Sequence, residues 1–277
     1  MFLGLDHTGL AVPDLEAARA LFASLGFRLT PRELLTRPGP DGKPVSTGAA
    51  NHVFMLSRGY QELIAVTDPA AGHMLVPRIA RYWGLHIVIV STDDADGDRQ
   101  RLADRGVPVS ACATWGREVP GRGEARFKFF LVGDAQAPEC MLGIVQHLTP
   151  DILRPPELLV HPNGATALNG CILHVADRAE ARKRYERIFG TLHAEPEGDV
   201  VRFPDGTWLR LADRHDLERS FPGARVPDAP SVAAIEFSVG NMQAIVSGGA
   251  PLMRDDMGCW LSPRDVFGAV VRFVPAT

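Results

Sequence analysis

The sequence predicts an α+β protein of four tandem βαβββ-type modules, paired into two domains of which the second is shortened. Three observations lead there: a helix-bearing segment that recurs, strand-like runs that follow each helix, and a proline-rich stretch that divides the chain. At 277 residues each half is long enough to bury a core.

The recurring segment is AVPDLEAARALFASLGF (11–27), which lies over HVADRAEARKRYERIFG (174–190). Each reads as a strand end, an aspartate, a helix and a glycine. Asp14 and Asp177 suit the N-cap, because a carboxylate accepts from an otherwise unpaired amide of the first turn. Gly26 and Gly190 suit the position that ends a helix. Between them Leu15, Ala18, Leu21, Phe22 and Leu25 keep the three-and-four spacing of one buried stripe, as do Ala181, Tyr185, Ile188 and Phe189 in the second copy. Two weaker starts are LHIVIVSTDDADGDRQRLADRG (85–106) and VAAIEFSVGNMQAIVSGG (232–249). FRLTPRELL, NHVFMLSR and YQELIAV follow the first helix, and VPVSACATW, ARFKFFLV and CMLGIVQHL the second. That is one helix and three strands, twice. Only two runs follow each later helix: VVRFPDG and TWLRLAD, then GCWLSP and GAVVRFVP. LTPDILRPPELLVHPNGATALNG, rich in proline and glycine, reads as a connection across the surface. The expected domains are therefore 1–150 and 167–277, with a linker at 151–166.

Composition narrows the function classes. With 45% hydrophobic and 22% charged residues and a net charge of −4, the chain has the profile of a globular protein without the basic face that nucleic acid requires. The opening MFLGLDHTGLAV has no basic leader, its apolar stretch is broken by Asp6 and His7, and no apolar run reaches the length of a membrane helix. Cys112, Cys140, Cys171 and Cys259 form no C-x-x-C pair, which fits reduced thiols and a cytoplasmic location. There is no phosphate loop, GRGEAR lacks a strand-helix setting, and no G-x-S-x-G elbow occurs.

Several residues carry chemistry. Glu62 sits between Gln61 and Leu63 in an apolar run, so it needs a partner, a metal or an arginine. His52, in a strand entered from a Gly-Ala loop, suits a proton shuttle or a plain strand-edge histidine. Alternation places Phe127 and Phe129 on one face, as core or as a substrate wall, and Trp115 lies in a loop-like stretch that could cover a site.

LDHTGLAVPDLEAARALFASLGF, STGAANHVFML, GYQELIAV and the QHLTP to HPNGA stretch resemble the vicinal oxygen chelate superfamily, in its glyoxalase-like branch. The resemblance implies strands curled into an open cup, with one divalent metal at the bottom held from both modules of a pair. Mapped residue by residue, it implies His7 and His86 on the first strands of modules one and two, Glu62 on the last strand of module one, and either Gln146 or His147 at the fourth position, with His147 preferred. Adjacent strand residues point to opposite faces, so only one of that pair can reach the cup. Imidazole and carboxylate suit Zn, Mn, Fe, Co or Ni without selecting among them. Such an ion binds neighbouring substrate oxygens and stabilises an enediolate. The implied function is a metal-dependent lyase or isomerase acting on a small substrate with vicinal oxygens, with Glu62 as ligand and base, and the resemblance is compatible with a homodimer. An extradiol-type Fe(II) dioxygenase and a sequestration protein without turnover are the alternatives. The second half reads as silent: His7 falls on Gly170 in the third module and on Ala234 in the fourth, though His174 and Glu236 lie nearby at shifted positions.

Overall fold

The computed structural model describes residues 1–39, 43–119 and 121–276. The first module runs β1 (Phe2–Ala11), α1 (Leu15–Ser24), β2 (Glu33–Pro38), β3 (Pro44–Met55) and β4 (Tyr60–Val66). A turn of helix, α2 (Val76–Ile79), leads to β5 (Gly84–Thr92), α3 (Ala95–Asp104), β6 (Ala113–Val119), β7 (Gly123–Leu131) and β8 (Met141–His147). After α4 (Pro150–Leu153) comes the third module, β9 (Ala165–His174), α5 (Arg178–Phe189), β10 (His193–Glu195), β11 (Gly198–Arg202) and β12 (Trp208–Ala212). It is followed by α6 (Arg214–Ser220) and the fourth, β13 (Ser231–Val239), α7 (Met242–Ser247), β14 (Leu252–Asp255), β15 (Gly258–Leu261) and β16 (Val270–Pro275). The later modules thus have three strands after the helix rather than the two expected. The additional strands, β10 and β14, span only 3 and 4 residues, too short to register as alternation.

The repeat is visible in the caps. Asp14, Asp94, Asp177 and Asn241 each accept, through the side chain, from the backbone N–H three residues on, at Ala17, Gly97, Glu180 and Ala244. Gly26, just beyond α1, has φ of +82°, a backbone region that glycine enters without a Cβ penalty.

In every module the first strand pairs in parallel with the fourth, and the third and second follow outward. β1 and β5 join antiparallel, as do β9 and β13, giving two curled sheets. One bridge between Leu85 and Val232 merges them into a 16-stranded sheet. No helix of the described residues is long and apolar enough to cross a membrane.

The largest hydrophobic cluster contains side chains from all four modules, including Phe22, Val88, Tyr185, Phe237 and Phe273. Full burial of such side chains contributes about 1.5–3 kcal/mol each. Phe54 and Phe237 lie 5.5 Å apart between ring centres, joining the first module to the fourth. Glu139 accepts from Arg184 at 2.8 and 3.2 Å and from Tyr185 at 2.9 Å, joining the second to the third. Residues 151–166, expected as a loose surface linker, are tied down. His161 is buried, its Nδ1 accepting from Arg28 N at 2.9 Å and its Nε2 donating to Met55 O at 2.6 Å. Asn163 Nδ2 donates to Leu25 O at 2.9 Å, which satisfies a carbonyl at the end of α1.

Candidate functional site

The concave face of the first sheet holds a cavity of about 550 Å³ between modules one and two. Its floor is made by an irregularity in β1. Leu5 pairs with Val90 and His7 with Ile89, so Asp6 is an extra residue in the ladder, a bulge that re-aims side chains. Asp6 is buried, and its carboxylate meets His7 Nδ1 at 2.7 Å, His147 Nε2 at 2.9 Å and Arg154 Nη2 at 3.5 Å. Burial alone would raise its pKa, but the bonds from His147 and His7 more than reverse that and hold it well below the usual carboxylate range.

An ionised carboxylate only accepts, so both imidazoles present N–H to Asp6, and a neutral imidazole so held has its acceptor at the other nitrogen. The free Nε2 of His7 lies 3.4 Å from Tyr60 Oη. The two rings stack 4.1 Å apart at 17°, which puts the hydroxyl over the imidazole rather than in its plane. That contact is weak and easily exchanged for a ligand. Burial, with the charges of Asp6 and Glu62, pushes the Tyr60 phenol well above its ordinary value, so it stays a donor.

Glu62, two residues further along β4, accepts from Asn51 Nδ2 at 2.7 Å. The partner foreseen as a metal or an arginine is therefore an amide. Asn51 is itself buried, and its Oδ1 has no hydrogen-bond partner among the described residues. His73 also lines the cavity, and burial lowers its pKa against the opposing pull of Glu62.

Module two supplies a different wall: Trp115 on β6, Phe127 and Phe129 on β7, and Ile89 and Val145 on β5 and β8. At the mouth Arg117 of β6 pairs with Glu33 of β2, so the edge strands of the two modules meet across the opening.

Of the residues singled out in the sequence, His7, Glu62 and His147 line this cavity, and His52 and His86 do not. His86 faces away, its Nε2 donating to Tyr82 O at 2.9 Å, and burial pushes its pKa down to about 4. Counting back from the equivalent caps Asp14 and Asp94 puts Ile87, not His86, in the place of His7. A one-residue slip on a strand reverses the face. His52 fails for the same reason: it meets Thr30 O at 2.8 Å and Glu16 at 3.3 Å behind the sheet, while its neighbour Asn51 enters the cavity. Gln146 is spent on α3, accepting from Ala95 N at 3.1 Å and donating to Asp93 O at 2.8 Å. Asp6, Asn51 and Tyr60 were missed. Cap counting could have excluded His86, but no sequence signal announces the bulge.

The expected divalent ion was tested on this donor set. On module two the cavity side carries Ile87 and Ile89, and Gly143 stands at the register position that Glu62 holds on module one. None is a donor. His7 and His147 each turn one nitrogen to Asp6, and among the described residues no group of three His, Cys, Asp or Glu side chains is arranged to hold a metal. The residues do not fit the four-ligand centre.

The second cup is filled. Leu217 and Phe221 of the α6 region pack with Trp260 inside it. Trp208 covers Gly170 so closely that a Cβ there would overlap its ring. Arg210 and Arg272 stand at the register positions of Glu62 and pair with Glu197 and Asp255. His174 meets Pro227 O at 2.8 Å, and Glu236 accepts from Asn169 at 3.1 Å.

A glyoxalase-like domain family model matches residues 5–189, and the chain belongs to that family and so to the vicinal oxygen chelate superfamily. A hypothetical protein from Staphylococcus aureus is similar in structure over 100% of both chains, with 13% identity and a TM-score of 0.69. A mutant of 4-hydroxymandelate synthase from Streptomyces coelicolor matches over 92% of this chain and 77% of its own, with 15% identity and a TM-score of 0.59. A xylose isomerase-like TIM barrel/4-hydroxyphenylpyruvate dioxygenase fusion protein matches over 91% of this chain and 40% of its own, with 13% identity and a TM-score of 0.57. These likenesses establish the fold alone. No curated protein matches.

Proposed function

We propose that the protein is an isomerase- or lyase-type enzyme that moves a proton on a small carbonyl compound, and that it does so with its own side chains. The observation that carries this reading is the buried Asp6 carboxylate holding His7, with the imidazole's second nitrogen turned to the cavity beside a neutral phenol. A carboxylate behind an imidazole fixes its tautomer and stabilises the imidazolium formed when it takes a proton. In the proposed reaction His7 Nε2 removes a proton from the carbon beside the carbonyl. The C–H electron pair forms a C=C bond, the carbonyl π pair moves to oxygen, and Tyr60 O–H donates to that oxygen. Glu62, across the same wall, is placed to move the second proton. The same face of the cup thus offers base, oxyanion donor and a second acid-base group.

The divalent ion held by His7, Glu62 and His147 is the rival reading, favoured by their shared cavity and by the family to which the chain belongs. The extradiol alternative needs a module-two donor where Ile87 and Ile89 stand. The four cysteines, all unpaired, accord with a cytoplasmic setting. The test is deuterium uptake at carbon by 2-hydroxyacetophenone and hydroxyacetone in D2O, followed by proton NMR on protein dialysed against chelator, with metal content measured in parallel. Uptake above buffer that survives chelation and falls about 10²- to 10⁴-fold in His7→Gln is expected. No enzymatic uptake, or uptake that tracks one equivalent of bound metal, overturns the proposal. Saturable binding without uptake favours sequestration instead.

A further inference from the structure

The two walls of the cavity differ in chemistry. Module one sets His7, Asn51, Tyr60 and Glu62 beside a few aliphatic chains, while module two brings the three rings together with aliphatic chains and only His147, Arg117 and Glu118 as polar groups. Trp115 pairs across the β6–β7 ladder with Phe127, and Phe127 and Phe129 lie 6.1 Å apart between ring centres on one face. All three rings are only half-buried, so the fold has left aromatic surface facing the cavity. On the opposite wall the Asn51 Oδ1 acceptor is buried and unpartnered, because Glu62 holds the Nδ2 end of the same amide. A buried acceptor in that state is left for a donor from outside the chain, a ligand hydroxyl or a water.

From these two observations we infer that the substrate is an aromatic molecule bearing an O–H donor next to a carbonyl. Its ring lies against Trp115, Phe127 and Phe129, its hydroxyl donates to Asn51 Oδ1, and its carbonyl accepts from Tyr60. A cavity of about 550 Å³ has ample room for a substituted ring. The inference deepens the proposed function and rests on it for the role of Tyr60, but the ring wall and the Asn51 acceptor stand without it.

The experiment measures dissociation constants on the full chain, by calorimetry or ligand-observed NMR, for four probes. They are 2-hydroxyacetophenone, hydroxyacetone, the cyclohexyl analogue of the first, and 2-methoxyacetophenone, whose hydroxyl is capped. The aromatic ring should bind about tenfold or more tightly than hydroxyacetone, and more tightly than cyclohexyl. Capping the hydroxyl should weaken binding by about tenfold, since it leaves Asn51 Oδ1 unpaired. Trp115→Leu and Phe129→Leu, made separately and checked by unfolding midpoint, should each reduce the ring preference. Equal affinity for ring and non-ring probes, equal affinity for the capped probe, a preference unmoved in both variants, or no binding at millimolar concentration overturns the inference. Selective binding without deuterium uptake leaves it standing and sinks the acid-base reading. Uptake without ring selectivity does the reverse.

Discussion

Replacing Asp6 with asparagine tests the floor of the cavity most directly. The carboxylate accepts two bonds from imidazoles, at 2.7 and 2.9 Å, in a site shielded from water. A hydrogen bond to a charged group is worth about 1.5–3 kcal/mol. Asparagine keeps the shape but offers one acceptor and one donor, so one imidazole loses its partner or changes tautomer. Asp6→Asn should therefore lose about 1.5–3 kcal/mol, and Asp6→Ala, which abandons both histidines and Arg154, about 3–5 kcal/mol. The pH dependence has a definite sign. The folded carboxyl titrates below its unfolded value of about 3.9, so its stabilisation is complete above roughly pH 5 and shrinks as pH falls through that unfolded value and below. Urea unfolding of parent and Asp6→Asn across pH should show a gap that is constant near neutrality and closes in acid. Deuterium uptake should fall about 10²-fold or more with the tautomer of His7 disturbed. A gap under about 0.5 kcal/mol at neutral pH, or one that widens in acid, refutes the reasoning.

Three further outcomes are expected. Burial holds His86 neutral with a pKa of about 4, so its contribution is present above about pH 6.5 and lost as pH falls toward 4, by up to about 3 kcal/mol; His86→Phe should flatten that part of the stability profile and leave probe binding within about twofold, and a loss of binding would return His86 to the site. Glu139→Ala leaves Arg184 without its bidentate partner between modules two and three and should cost about 3 kcal/mol in a single urea transition, whereas two separated transitions would mean the halves fold apart. Arg117→Gln should change stability by less than about 1 kcal/mol, because both partners are substantially exposed, yet speed probe release in stopped-flow measurements; unchanged release refutes a role at the mouth.

The modules and their caps were legible because each rests on local pattern, an aspartate before an apolar stripe and then runs bounded by turns, while the cup was implied by the family resemblance. Alternation assigns neighbours to opposite faces, and accordingly His147 lines the cavity while Gln146 turns to the start of α3. The same rule defeated His86 and His52, because a strand phase must be counted from a fixed point and those histidines were read without one. Asp6 was illegible for another reason. It gains its place from a bulge set by pairing between β1 and β5, more than 80 residues apart, and nothing local marks the extra residue. Asn51 and Tyr60 matter only once the ladder sets them beside Glu62 and His7.

Trp208 lying over Gly170 has a consequence for the substitutions open to this chain. A histidine placed there would meet the indole, and removing the half-buried indole would uncover the cluster of Ile172, Ala234 and Trp260 that it packs against. The two positions are therefore coupled: a side chain at 170 requires a smaller one at 208. The half that holds them also bears on the first cup. Thr207 Oγ1, beside that tryptophan, accepts from Leu5 N at 2.7 Å, one residue before Asp6, and Arg58 pairs with the start of β9. The second half is the anvil on which the first strand is shaped, and substitutions there should reach the cavity through β1 without ever touching a ligand.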